Sequence, residues 1–186
     1  PMLASGKFAP SLRITAAFNL ASLLRAQGHC PEALAALDRV HADIAAEQVR
    51  HALELSTRSR CMLDLHDVAQ ARALAGASVE RSPGNSARYL LARGLAEIQA
   101  GDAGAATATI AAIRALTPSN ATDRTEYKAA AYLQGLLRMQ QGDVAGAVAS
   151  LRAAVAKGGY EYDAYALALA GALAKQGNLR DARTFA

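Results

Sequence analysis

Tyr127 to Gly158, YKAAAYLQGLLRMQQGDVAGAVASLRAAVAKG, reads as two helices joined by a tight turn. Ala131, Gly135 and Arg138 to Gln141 bring the first helix to its end. Gly142-Asp143 breaks it, because glycine takes the left-handed C-cap conformation at little cost and aspartate caps the helix that follows. Val144, Ala147, Val148, Leu151, Ala154 and Val155 then recur at helical spacing and form one apolar stripe. Neither helix is long enough to bury that stripe alone, so it needs a neighbour. The chain supplies neighbours of the same kind.

Outward from Gly142, the same turn recurs at Gly28, His66, Gly101 and Gly177, at intervals of 35 to 41 residues. Five residues after each turn stands an alanine: Ala33, Ala71, Ala106, Ala147 and Ala182. Seven before each stands a small residue: Ala21, Ser59, Gly94, Gly135 and Ala170. Pro83, Pro118 and Gly158-Gly159 end several of the second helices. Self-similarity at such a period marks stacked supersecondary units, none of which buries its apolar face by itself. The expected fold is all-α, about five helix-turn-helix units near 14–51, 52–86, 87–127, 128–162 and 163–186, the last truncated, in one array over 1–186.

These marks resemble the tetratricopeptide repeat, a helix-turn-helix unit of about 34 residues. Leu20, Ala21, Leu24, Gly28, Ala33 and Leu37 fit its pattern, as do Leu169, Ala170, Leu173, Gly177-Asn178 and Ala182. The resemblance runs over roughly residues 14 to 186. Arg58, Arg93 and Gln134 depart from it where the family has leucine, and His66 where it has glycine. It implies an α-solenoid wound as a right-handed superhelix, with the first helices lining a concave groove. The competing architecture is an unrelated Ala-rich helical bundle.

In chain order, the first helix is expected from Pro10 to Gln27, with Leu12, Ala16, Leu20, Leu23 and Leu24 as its apolar positions. Its partner opens at Pro31-Glu32 and turns Ala33, Leu34, Leu37, Val40 and Ile44 inward, with a break near Ala45 to Gln48. Val49–Leu65, carrying Leu53, Leu55, Met62 and Leu65, pairs with Val68–Glu80. After the Ser82–Ser86 loop, where Asn85 or Ser86 can cap, come Ala87–Ala100 and Ala103–Leu116. A polar linker over Thr117–Asp123 leads to the fourth unit, and Gly158-Gly159-Tyr160 to the fifth, whose first helix is Tyr162–Gln176. Met2-Leu3-Ala4 reads as the tail of an earlier helix. The chain stops inside the second helix of its fifth unit, which predicts a fragment of a longer protein.

Composition excludes several classes. Hydrophobic residues make up 52% of the 186, much of it alanine, and there is no Trp. The net charge is +4 and the pI about 9.3, but basic residues are spread among acids with no run of four. That pattern does not indicate nucleic-acid binding. No run of 18 apolar residues spans a membrane, and no secretory signal opens the chain. Cytoplasmic localisation follows, or periplasmic if a signal was removed. The excess of Arg over Lys, with abundant Ala and Gly, points to a GC-rich bacterial genome.

Catalytic and metal motifs are absent from the sequence. Two cysteines, Cys30 and Cys61, are too few for a zinc site and read as buried reduced thiols. His29, His41, His51 and His66 lack metal-ligand spacing. The acidic pairs Asp43/Glu47 and Glu161/Asp163 have no nucleophile or His at a useful offset. Gly101-Asp102-Ala103-Gly104 is a repeat turn and lacks the lysine of a phosphate loop. No cofactor, metal or catalytic residue is expected.

Carried over from the family position by position, the groove would include Phe18, Asn19 and Arg25 of unit one and Arg60 of unit two. It would continue with Leu91, Leu95 and Ile98 of unit three and Tyr132, Leu136 and Met139 of unit four. It grades from polar and basic to apolar, and the last six would suit an apolar helix or peptide. The competing assignment places these residues in the core, or under a further C-terminal helix. Phe18 and Ser22 stand where family members that read chaperone tails carry carboxylate-gripping residues, so that ligand is not expected.

The expected function is a non-catalytic scaffold that binds a peptide or helix of a protein partner. The alternative is the regulatory or substrate-docking arm of a larger enzyme or transcription regulator. A third, nucleic-acid binding, would require Arg13, Arg25, Arg58, Arg60, Arg88 and Arg93 to share one face. Self-association through the apolar edge of the last unit is a further possibility.

Overall fold

The computed structural model describes residues 9–44, 47–82, 86–116, 125–156 and 162–185. The described residues form α-helices and no strand, in two compact units, Pro1–Ala100 and Gly101–Ala186. Unit one holds α1 (Pro10–Ala26), α2 (Cys30–Asp38), the short α3 (His41–Ile44), α4 (Gln48–Asp64), α5 (Val68–Glu80) and α6 (Ala87–Gln99). Unit two holds α7 (Ala103–Ala115), α8 (Thr125–Gln140), α9 (Val144–Val155), α10 (Tyr162–Lys175) and α11 (Leu179–Phe185). Both are all-α and built of helix-turn-helix repeats.

The turns are where sequence dictates structure most directly. Gly28, His66, Gly101, Gly142 and Gly177 have φ of 81°, 62°, 75°, 83° and 85°. They are the positive-φ positions among the described residues, and they are the five turn positions of the repeat. After α1, the Gly28 N–H donates to the Arg25 carbonyl at 2.9 Å and the His29 N–H to the Leu24 carbonyl at 2.8 Å. The same two bonds recur at His66-Asp67, Gly142-Asp143 and Gly177-Asn178, satisfying carbonyls that a helix end otherwise leaves open. At the last four turns the next residue then caps the following helix, while His29 after Gly28 makes no such bond. Asp67, Asp102 and Asp143 accept from the backbone N–H three residues on, at 3.0, 3.0 and 2.8 Å. Asn178 does so from Asp181 at 3.2 Å. Ser86 stands at the N-cap of α6 without such a bond.

Small residues set how closely the paired helices approach. Ala33, Ala71, Ala106 and Ala147 are fully buried and Ala182 nearly so. Their counterparts Ala21, Ser59, Gly94, Gly135 and Ala170 are buried too. At Gly135 the approach is so close that a Cβ would lie 2.5 Å from Leu151 Cγ. In unit two this brings Val148, Leu151, Leu169, Ala172 and Leu173 into one cluster with Ala182.

Two helices expose a different face from the one their leucines suggest. α1 buries Ile14, Ala17 and Ala21, while Leu12 and Leu23 are 55% and 57% exposed. Close packing selects the small-residue face of α1, and Ala16, Leu20 and Leu24 pack half-buried beside it while Leu12 and Leu23 turn outward. α4 buries Ala52, Glu54, Ser56, Ser59, Cys61 and Leu63, leaving Leu53, Leu55 and Met62 half-buried and Leu65 exposed. α4 packs against α1, α2, α3, α5 and α6, so polar side chains are enclosed as well, provided that they find partners. Ser59 Oγ donates to the Ala71 carbonyl at 2.8 Å. The single helix expected from Pro31 through Ile44 is instead two, α2 ending at Asp38 and α3 starting at His41, while Val40 and Ile44 still turn inward. The expectations for Met2-Leu3-Ala4, Pro83–Asn85, Thr117–Asp123 and Gly158–Tyr160 lie outside the described residues.

Candidate partner-binding surface

α8 carries the most developed candidate face. Ala129, Ala130, Leu133 and Leu137 are buried to 2% exposure or less and form its core side. Gly135 faces Leu151 of α9. Tyr132, Leu136 and Met139, at i, i+4 and i+7, share the adjoining strip and are half-buried. Tyr132 and Met139 rest on the Val148–Leu151–Leu173 cluster. The Tyr132 ring also packs on Tyr165 of α10, centroids 4.4 Å apart and planes tilted by 34°. Leu136 lies between Tyr132 and Met139 on the strip and is half-buried. On α10, Leu167 stands 66% exposed.

The other expected groove residues lie in unit one. Phe18 is half-buried and packs between the Ile14–Ala17–Val40 and Ala21–Leu37–Cys61 clusters. Asn19 is exposed. Arg25 Nε donates to Asp64 Oδ2 at 2.8 Å, tying α1 to α4. Arg60 is half-buried and engaged within the fold. Leu91 is 3% exposed and has almost no surface to offer. Leu95 packs half-buried on Leu63, Ala71, Ala75 and Ala96, and Ile98 is half-buried. Leu91, Leu95 and Ile98 thus sit in unit one and Tyr132, Leu136 and Met139 in unit two.

The arginines are engaged in pairs. Arg13 meets Asp43 at 2.7 Å, Arg58 meets Asp38 at 2.6 Å and Glu54 at 2.8 Å, and Arg93 meets Glu97 at 2.7 Å. Sequence reasoning missed the network around Glu54, which is 1% exposed. Both its carboxylate oxygens lie against His41 Nδ1, at 2.9 and 3.0 Å, while Arg58 Nε donates to Oε1 at 3.0 Å. Its companions Asp38, His41, Leu55 and Arg58 line a shallow cavity of about 460 Å³ with it. The Glu54–Arg58 spacing of four on a helix was the available signal. Among the described residues no cluster of His, Cys, Asp and Glu could hold a metal ion, and no helix is long and apolar enough to cross a membrane.

Residues 132–186 match the family model described as tetratricopeptide repeat. Among solved structures, one titled "MamA RS-1 ArsTM double mutant" is similar, with a TM-score of 0.52 over 92% of this chain and 89% of that one. At 17% identity this is a likeness of fold. No curated protein matches the chain. Residues 132–186 are thus similar to tetratricopeptide repeats, and the positive-φ turns, their caps and the paired small residues carry the same helix-turn-helix pattern along the rest of the described chain.

Proposed function

We propose that the chain is a non-catalytic interaction scaffold that binds an apolar helix or peptide of a protein partner, and that the Tyr132–Leu136–Met139 face of α8 contributes to the contact. The observation that carries this reading is the division of α8 into two faces. Leu133 and Leu137 are closed into the core, while Leu136, one residue from Leu137, stays half-buried. A helix held from behind by Gly135 against Leu151 presents its half-buried strip with little ordering cost on binding. Engagement of Arg13, Arg25, Arg58 and Arg93 with carboxylates favours this over a phosphate-binding track. The protein-binding role common to tetratricopeptide repeats supports it.

The test is capture from a bacterial lysate on immobilised wild type and Leu136→Glu, followed by titration of the purified captured protein against both. Binding that weakens at least tenfold in Leu136→Glu, at unchanged helicity, agrees with the proposal. Equal affinity for the two removes Leu136 from the contact.

A further inference from the structure

Cys30 and Cys61 come from different hairpins, the first residue of α2 and the interior of α4, yet they share one buried cluster with Ala21, Ala33 and Leu37. Both are free thiols, 1% and 0% exposed. Within that cluster the two thiols are close enough to affect each other's ionisation. Cys30 Sγ donates to Asp64 Oδ2 at 3.8 Å, and Arg25 holds the same oxygen at 2.8 Å. A thiol pair in contact across a repeat boundary, with a carboxylate at one sulfur, is more than packing requires.

We propose that Cys30 and Cys61 are a peroxide-responsive pair that closes to a disulfide and staples the first hairpin to the second. Cys30 reacts first. It lies just after the turn, between the exposed His29 and Pro31, and Asp64 accepts its proton in a hydrogen bond. The Cys30 thiolate attacks hydrogen peroxide, the O–O bond breaks, and Cys30 becomes a sulfenic acid with release of hydroxide. The Cys61 sulfur then displaces that oxygen, which leaves as water, and the S–S bond forms. In net, two thiols lose two electrons and two protons, and one peroxide becomes two waters. A dithiol reductant reverses the change.

The surroundings set the pace. Burial, then the Asp64 charge, push the Cys30 thiol up. Burial, then the neighbouring Cys30, push Cys61 up to about 12. A raised thiol pKa means less thiolate at neutral pH, so closure is slow there and quickens as pH rises, about tenfold per unit while the thiol form dominates.

The experiment uses the full chain, reduced, with and without hydrogen peroxide. Remaining thiols are then alkylated in denaturant, and the protein is read by intact mass and peptide mapping. The expected result is a monomer that takes up no alkyl group, with residues 30 and 61 in one cross-linked peptide. Its melting temperature should rise by roughly 5 to 10 °C. Dithiothreitol should restore both thiols, and Cys61→Ala should stop at a sulfenic acid on Cys30. The wild-type cross-link decides the matter even if that variant folds poorly. Two alkylated thiols after exposure, oxygenated sulfurs without a bridge, or bridges only between chains would overturn the proposal.

Discussion

Unit one and unit two use the same turns and fill the space between their helices differently. In unit one, α1 through α4 pack on the Ile14–Val40 and Ala21–Leu37 clusters and are tied by charges as well: Arg13 to Asp43, Arg25 to Asp64, Arg58 to Asp38, and the buried Glu54 to His41 and Arg58. In unit two, α8 to α11 close around Val148, Leu151, Leu169 and Leu173, with Tyr132 packed on Tyr165. The tetratricopeptide-repeat match covers residues 132–186, all within the second unit. Turn residues and small contact residues are thus enough to place the helices in pairs, whereas the filling between them is free to be ionic or apolar.

The contrast can be broken by substitution. Leu151→Ala should have the largest effect, a loss of about 3 to 4 kcal/mol, because Leu151 is fully buried and its removal leaves a cavity beside Gly135. Urea unfolding measures it, and a loss under about 1 kcal/mol would mean that unit two collapses around the gap. Next, Glu54→Ala in unit one should cost about 2 kcal/mol, since it removes the buried acceptor of His41 and Arg58 and leaves Arg58 with Asp38 alone of its two carboxylates. If it costs nothing, the ionic filling is ornament to the fold and the two units do not differ in the way described.

Glycines sharpen the contrast at the level of one atom. Gly135→Ala should cost about 1 to 2 kcal/mol despite alanine's helix preference, because its Cβ meets Leu151. Gly76→Ala in α5 has no atom within 4 Å of the new Cβ and should gain about 1 kcal/mol. Thermal melting of the two side by side is the check, and opposite signs are expected. The smallest stability effect in this series belongs to the second turn. His66→Gly should stabilise by about 1 kcal/mol, since a non-glycine residue there holds φ at 62°. No gain would show that the His66 side chain offsets its own backbone strain.

Much of the fold is legible in the sequence because its strongest determinants are local. Gly28, Gly101, Gly142 and Gly177 declare left-handed turns by residue type, and Asp143 declares its cap. α9 is read correctly from its stripe because its buried residues, Ala147, Val148, Leu151 and Ala154, are apolar. α1 and α4 are not, because close approach favours Ile14, Ala17 and Ala21 over larger leucines, and because Glu54 is held inside by partners distant in sequence. The candidate site is legible in part. The spacing of Tyr132, Leu136 and Met139 places them on one strip of α8. Nothing local shows that Arg25 is engaged by Asp64, 39 residues away, or that Leu91 is closed over.

The most direct measurement compares Leu136→Glu with Leu137→Glu by urea unfolding. Leu137 is 2% exposed and Leu136 half-buried, although they are adjacent on α8. If α8 has a core face and a separate binding face, Leu137→Glu should lose about 4 kcal/mol or more, and Leu136→Glu less than about 1 kcal/mol. Comparable losses in the two variants would place Leu136 in the core and contradict the assignment of a partner-binding face to α8.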